Sequence, residues 1–66
     1  MTFSEKLVGL RRKAGLSQEE LASRLEVSRQ AVSKWESGAS DPSTTNLMAL
    51  AKLFGTTAEE LLKETK

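Results

Sequence analysis

The chain has 66 residues, with ten Lys/Arg and nine Asp/Glu, a net charge of +1, and neither cysteine nor histidine. A chain of this length holds one small core, so we expect residues 1–66 to form a single domain. The composition excludes disulfides, thiol nucleophiles and the usual zinc sites. No apolar run is long enough for a signal peptide or a membrane span. We therefore expect a cytoplasmic protein that needs no cofactor and no metal.

Charge is distributed unevenly along the chain. Residues 1–38 carry seven Lys/Arg against five Glu, whereas residues 39–66 carry three Lys against four acidic residues. A surface that attracts phosphate groups is therefore expected in the first part of the chain.

Apolar residues recur every three or four positions, and glycine and proline are sparse, which predicts helices joined by short turns. We predict five helices, over residues 3–14, 18–25, 29–37, 44–54 and 58–64. Each follows a hydroxyl residue suited to the N-cap position. Three of these residues have a glutamate three positions later, which predicts a capping box. The N-caps are Thr2, Ser17 and Thr57, with the predicted boxes, and Ser28 and Ser43.

The apolar positions of the five helices predict one shared core and an all-α fold class. Two further residues, Leu16 and Val27, lie just before helix starts and are expected at its edges. The predicted core residues are Phe3, Leu7, Leu10, Ala14, Leu21, Ala22, Leu25, Ala31, Val32, Trp35, Leu47, Leu50, Ala51, Phe54, Leu61 and Leu62.

The second and third helices are separated only by Glu26, Val27 and Ser28. Such a short connection favours a steep crossing of the two helices, which is helix-turn-helix spacing, with the unit at about residues 18–37. Many such turns have glycine where this chain has Glu26, so we expect Glu26 to adopt a positive φ at a cost of about 1 kcal/mol.

The third helix then has an inward apolar side and an outward polar side. Near its start the outward side carries Arg29, Gln30, Ser33 and Lys34. In helix-turn-helix docking, residues at the start of the second helix of the unit reach base edges in the major groove. Arg29 is suited to guanine, Gln30 to adenine, and Lys34 to a guanine acceptor or a phosphate.

The stretch GLSQEELASRLEVSRQAVSKWESG resembles the helix-turn-helix domain of the Xre/Cro/phage-repressor family. The following PSTTNLMALAKLFGTTAEELL resembles the fourth and fifth helices of that family, so the resemblance covers almost the whole chain. It implies a five-helix lambda-repressor-like domain that binds double-stranded DNA sequence-specifically, as a prokaryotic or phage transcription regulator of the repressor type. It also implies a homodimer on a palindromic operator, formed through the turn between helices four and five and helix five, around Gly55 to Leu62.

Contacts with the DNA backbone are expected at the start of the second helix, because a helix N-terminus offers unpaired N–H donors to a phosphate. Gln18 and the exposed amides beside it are the candidates there, and the resemblance adds serines elsewhere. The loop after Gly38 has no Lys or Arg and contains Asp41, so we expect modest affinity and a shallow salt dependence. The expected phosphate contacts are Ser17, Gln18, Ser28, Ser37 and Ser40.

The resemblance further implies an ion pair between the first helix and the end of the third. Members similar to phage repressors pair an arginine with a glutamate at positions matched by Arg11 and Glu36. This structural pair is expected to fix the angle of the third helix.

Two other functions compare less well with the sequence. An enzyme is disfavoured, because the capping hydroxyls have no histidine base and the carboxylates are scattered. No small-molecule ligand is expected in a domain of this size. A protein-interaction module of the same fold, such as an antitoxin-like or assembly component with weak DNA binding, is the alternative that the near-neutral charge favours. For the outward residues of the third helix, a merely solvated face is the alternative.

Overall fold

The computed structural model describes residues 2–63. Within that range the chain forms five helices and no strand. They are α1 (Phe3–Lys13), α2 (Gln18–Leu25), α3 (Arg29–Ser37), α4 (Thr44–Leu53) and α5 (Ala58–Leu62). The predicted all-α class with five helices, and the helix-turn-helix unit at the second and third of them, are confirmed.

Four of the five helix ranges agree with the prediction to within one residue. The fifth was predicted to reach residue 64, which was wrong at Lys63, where the backbone is extended with φ −70° and ψ 124°. Residue 64 itself lies outside the described residues.

Every helix begins at its predicted N-cap, whose hydroxyl accepts a hydrogen bond from a backbone N–H three residues later. Thr2 and Ser17 form complete capping boxes, in which their own N–H groups donate to Glu5 at 3.0 Å and to Glu20 at 2.9 Å. The N–H and the hydroxyl of each cap hold the pKa of these two carboxyl groups below the usual value of 4.5. The reciprocal bonds therefore favour charged carboxylates at both helix starts.

The start of α5 differs from this pattern. The Thr57 hydroxyl accepts from the N–H of Glu60 at 3.1 Å, but the N–H of Thr57 does not donate to the Glu60 carboxylate. The predicted third capping box was therefore wrong in its second bond. The other end of α5 is held by Lys6 of α1, whose Nζ donates to the carbonyl oxygen of Glu60 at 2.8 Å and to that of Lys63. A lysine side chain thus satisfies carbonyls that a five-residue helix leaves unpaired.

Each of the first four helices is followed by one residue of positive φ and a backbone bond that spans five residues. After α2 this residue is Glu26, with φ 58°, and the N–H of Val27 donates to the carbonyl of Ala22 at 2.9 Å. The positive φ expected for Glu26 is confirmed. Glycine occupies the equivalent positions after the other three helices, at Gly15, Gly38 and Gly55.

Among residues 2–63 the core contains eight buried apolar residues, all of which were predicted. Two predicted core positions were wrong. Ala14 is exposed, because α1 ends at Lys13 and the chain then turns. Leu62 is 57% exposed, because it follows Leu61 by 100° around the helix, and Leu61 takes the inward position. The buried residues are Leu7, Leu21, Ala22, Val32, Trp35, Leu50, Ala51 and Leu61.

The third helix packs against both of the first two, and its contact with α2 is the most extensive between any two helices in residues 2–63. Its inward side is closed from solvent, with Val32 at 0% and Trp35 at 4% exposure. The opposite side of α3 faces solvent. None of the helices in this part of the chain has the length and apolarity needed to cross a lipid bilayer.

The left-handed conformation of Glu26 leads to a prediction about stability. We expect Glu26→Gly to raise the free energy of unfolding by about 0.5–1 kcal/mol, because glycine removes the strain of a side chain at positive φ. The greater backbone entropy of glycine in the unfolded chain offsets only part of this gain. Urea denaturation followed by circular dichroism measures this. Glu26→Ala removes the charge but keeps the β-carbon and should give no such gain; an equal gain for alanine would contradict the prediction.

Candidate nucleic-acid interface

The outward side of α3 presents four polar side chains at and after the helix start. Arg29, Gln30 and Lys34 are exposed, whereas Ser33 is half-buried and offers less of its side chain to a partner. None of these side chains takes part in a hydrogen bond or ion pair within the described residues. The three long side chains are therefore free to bind an external partner without first breaking an internal contact.

The charge at the start of α3 is unusual for this chain. The first turns of α1, α2 and α5 each contain glutamate, and those of α3 and α4 contain no acid. Of these five helices, α3 is the one that begins with a cation, Arg29. A cation at a helix N-terminus opposes the helix dipole, so Arg29 is not placed there to stabilise the helix. The uncompensated dipole and the guanidinium together give this end of α3 a positive potential.

The start of α2 offers backbone donors. The N–H of Glu20 is bonded to the Ser17 hydroxyl at 3.0 Å, but the N–H groups of Gln18 and Glu19 have no acceptor in the described structure. Two glutamates in the same turn reduce the positive potential there, although the Glu20 carboxylate is already bonded to the N–H of Ser17. This helix start therefore binds an anion through hydrogen bonds more than through net charge.

The serines expected at phosphates differ in what they have left to donate. The hydroxyls of Ser17 and Ser28 both accept in their caps. Ser28 keeps its one proton for an outside acceptor, whereas the Ser17 hydroxyl also bonds to the Glu20 carboxylate. Ser37 already donates its proton to the carbonyl of Lys34 at 3.1 Å and would have to break that bond to reach a phosphate. Ser40 is exposed, and its backbone N–H bonds to the same carbonyl at 3.3 Å.

Arg11 and Glu36, the two residues expected to pair, lie together between α1 and the end of α3. The Nε of Arg11 donates to Oε2 of Glu36 at 2.6 Å, and Nη2 donates to Oε1 at 3.1 Å. Their side chains are only 13% and 6% exposed. The two parallel bonds fix the planar guanidinium against the carboxylate and so connect α1 to the end of α3.

Two further bonds of this network were missed by sequence reasoning. Nη1 of Arg11 donates to the carbonyl of Leu16 at 2.8 Å, and the side-chain Nε2 of Gln18 donates to Oε1 of Glu36 at 2.9 Å. One signal for them was present in the sequence. Glu36 lies four residues after the buried Val32, on the same side of α3, and a carboxylate placed that deep needs several donors.

Comparison with known proteins identifies the domain. A family profile described as Helix-turn-helix matches residues 9–61. The chain belongs to this helix-turn-helix family. It is 50% identical over 62 residues to the HTH-type transcriptional activator BcrR of Enterococcus faecalis, covering 94% of this chain and 30% of that protein. It is 44% identical over 64 residues to the 26 kDa repressor protein of Escherichia phage HK022, covering 91% of this chain and 27% of that protein.

The helix-turn-helix fold of this chain also matches a solved complex. The P22 c2 repressor, whose crystal structure contains the synthetic operator 9T, superposes with a TM-score of 0.90 at 32% identity, covering 96% of each chain. The helix-turn-helix domain thus shares its architecture with a phage repressor, and its family is one of DNA-binding transcription regulators. The chain spans less than a third of the length of the two curated relatives.

The pair of Arg11 and Glu36 leads to a second prediction about stability. We expect Arg11→Met or Glu36→Met alone to lower the free energy of unfolding by about 3 kcal/mol, because each strands a largely buried charge. The double replacement should recover most of that loss, because it leaves no buried charge. Urea denaturation of the three variants and the parent gives the coupling energy, and losses that simply add would contradict the prediction.

Proposed function

We propose that this chain is the DNA-binding domain of a transcription regulator and reads the major groove of double-stranded DNA with α3. The observation that carries the proposal is the start of α3, where Arg29, Gln30 and Lys34 are exposed and their side chains make no hydrogen bond or ion pair within the described residues. The helix that presents them is packed on two neighbours. The names of the relatives, an activator and a repressor, support the same role.

In this proposal, Arg29 donates two hydrogen bonds to guanine, Gln30 exchanges two with adenine, and Lys34 reaches a guanine acceptor or a phosphate. Ser33 is half-buried and has a short side chain, so it reaches only a group that lies close to α3. The domain has no catalytic role, and a cytoplasmic location follows from the DNA that it binds. The choice between repression and activation belongs to the whole regulator.

Phosphate contacts hold α3 in register in the groove. We assign them first to Ser28 and Gln18, which keep side-chain donors free, and then to Ser17 and to Ser40 in the exposed loop. Ser37 ranks last, since its proton is used within α3. With few cations at these positions, few counterions are released on binding, so the salt dependence is shallow.

We further propose that two copies bind a palindromic operator and contact each other through the turn between α4 and α5 and through α5, with the neighbouring side of α4 added to that surface. Met48 and Leu62 are 61% and 57% exposed, and they are the exposed large apolar residues of the described chain. A groove of about 470 Å³ between these two helices can receive an apolar side chain from a second copy. It is lined by Met48, Ala49, Ala51, Lys52, Thr56 and Ala58.

A selection of binding sites from random duplex DNA at low salt tests the reading role. We expect one enriched motif, and we expect Arg29→Ala to weaken binding to it by about 1–3 kcal/mol and to relax the preference at one base pair. Arg12→Ala removes an exposed cation from α1 and serves as the control, with little effect on the preference. If no motif is enriched, the proposal fails and a protein-interaction module takes its place.

The dimer is tested with the double variant Met48→Ser, Leu62→Ser. Removing apolar surface from a symmetric contact should lower affinity for a two-half-site operator at least tenfold while leaving affinity for a single half-site unchanged. Sedimentation equilibrium on operator DNA gives the stoichiometry. Ala14→Ser, at an exposed position at the end of α1, should leave both affinities unchanged. Unaltered binding of the double variant to the full operator would contradict the proposed surface.

A further inference from the structure

We propose that Glu36 is a positioning residue for DNA binding, which acts by holding the Gln18 side chain so that its second amide N–H is presented to a phosphate. The inference rests on the proposed function. It gives the largely buried pair of Arg11 and Glu36 a role in affinity besides its role in stability.

The hydrogen bonds around Glu36 are the first observation behind this proposal. Its carboxylate accepts three hydrogen bonds, two from Arg11 and one from Gln18. With a side chain that is 6% exposed and negatively charged, Glu36 itself does not contact DNA. Arg11 neutralises it, so the carboxylate orients Gln18 without presenting an uncompensated charge to a nearby phosphate.

The second step concerns the Gln18 amide. Its NH₂ group has two donors, of which one is bonded to Glu36 at 2.9 Å and the other has no acceptor among the described residues. A free glutamine side chain populates many rotamers, and ordering it on binding costs entropy. Because Glu36 already orders Gln18 in the free protein, little further side-chain entropy is lost when DNA binds.

The third step is the position of Gln18 as the first residue of α2. Its own N–H and that of Glu19 are unpaired, so the side-chain donor adds to two backbone donors at one place. Glu36 lies near the end of α3, which reads the bases. The Glu36 carboxylate therefore connects α3, which reads the bases, to Gln18, which contacts a phosphate of the DNA backbone.

A purely structural role is the alternative: the network would then only set the angle of α3. The two roles differ in how their effects combine. If Glu36 acts through Gln18, removing Glu36 costs affinity only while Gln18 is present. If it acts through the angle of α3, its loss and the loss of Gln18 add.

The experiment measures affinity for the selected operator at fixed salt in four proteins: the parent, Gln18→Ala, the double replacement Arg11→Met, Glu36→Met, and all three changes together. The double replacement leaves net charge unaltered and leaves no buried charge unpaired. We expect a loss of about tenfold for Gln18→Ala, about three- to tenfold for the double replacement, and no more than the Gln18→Ala loss for the triple variant.

A matched control combines the double replacement with Arg29→Ala, whose contact is independent, and these losses should multiply. Losses that also multiply with Gln18→Ala, or a double replacement that binds as the parent does, would overturn the inference while the proposed function stands. A parent that selects no motif would instead refute the function.

A second measurement needs no DNA. In nuclear magnetic resonance spectra of the free protein, the Gln18 side-chain amide should show shifts distinct from those of an exposed glutamine, and it should lose them in the double replacement. Random-coil shifts for this amide in the parent would overturn the inference whatever the binding data.

Discussion

The guanidinium of Arg11 joins segments that lie far apart in the chain: α1, the carbonyl of Leu16 just before α2, and Glu36 near the end of α3. Eight buried apolar side chains among residues 2–63 form a small core, and apolar contact is not directional. The bidentate pair supplies the direction, because its bonds hold only at one distance and one angle. The contact between α1 and the end of α3 therefore combines apolar packing with a polar pair of defined geometry.

The parts of this fold that sequence reasoning obtained are those governed by neighbours in the chain. Five hydroxyl caps gave the helix starts, and periodic apolar residues gave every buried position, because both depend on residues three or four apart. The positive φ of Glu26 was expected because many helix-turn-helix turns have glycine at that position. The apolar positions of α3 identified its inward side, and the polar residues on its other side were therefore predicted to face outward. The role of those residues in reading DNA is a proposal.

What sequence reasoning missed depends on contacts between distant segments. Nothing near Leu62 indicates that α5 presents Leu61 rather than its neighbour to the core, since that choice is made by packing against other helices. Lys6 holds the end of α5 through backbone carbonyls 54 and 57 residues away. The bond between Gln18 and Glu36 likewise spans 18 residues. Such contacts require the fold before they can be recognised.

Trp35 gives this domain a built-in optical probe. The chain contains one tryptophan and no tyrosine, so its fluorescence comes almost entirely from an indole that is 4% exposed. That indole lies on the buried side of the helix whose opposite side carries the proposed reading residues. DNA that docks on the outer side leaves the indole in the core, whereas unfolding transfers it to water and shifts its emission to longer wavelength. The colour of that emission thus separates a variant that has lost its contacts from one that has lost its fold.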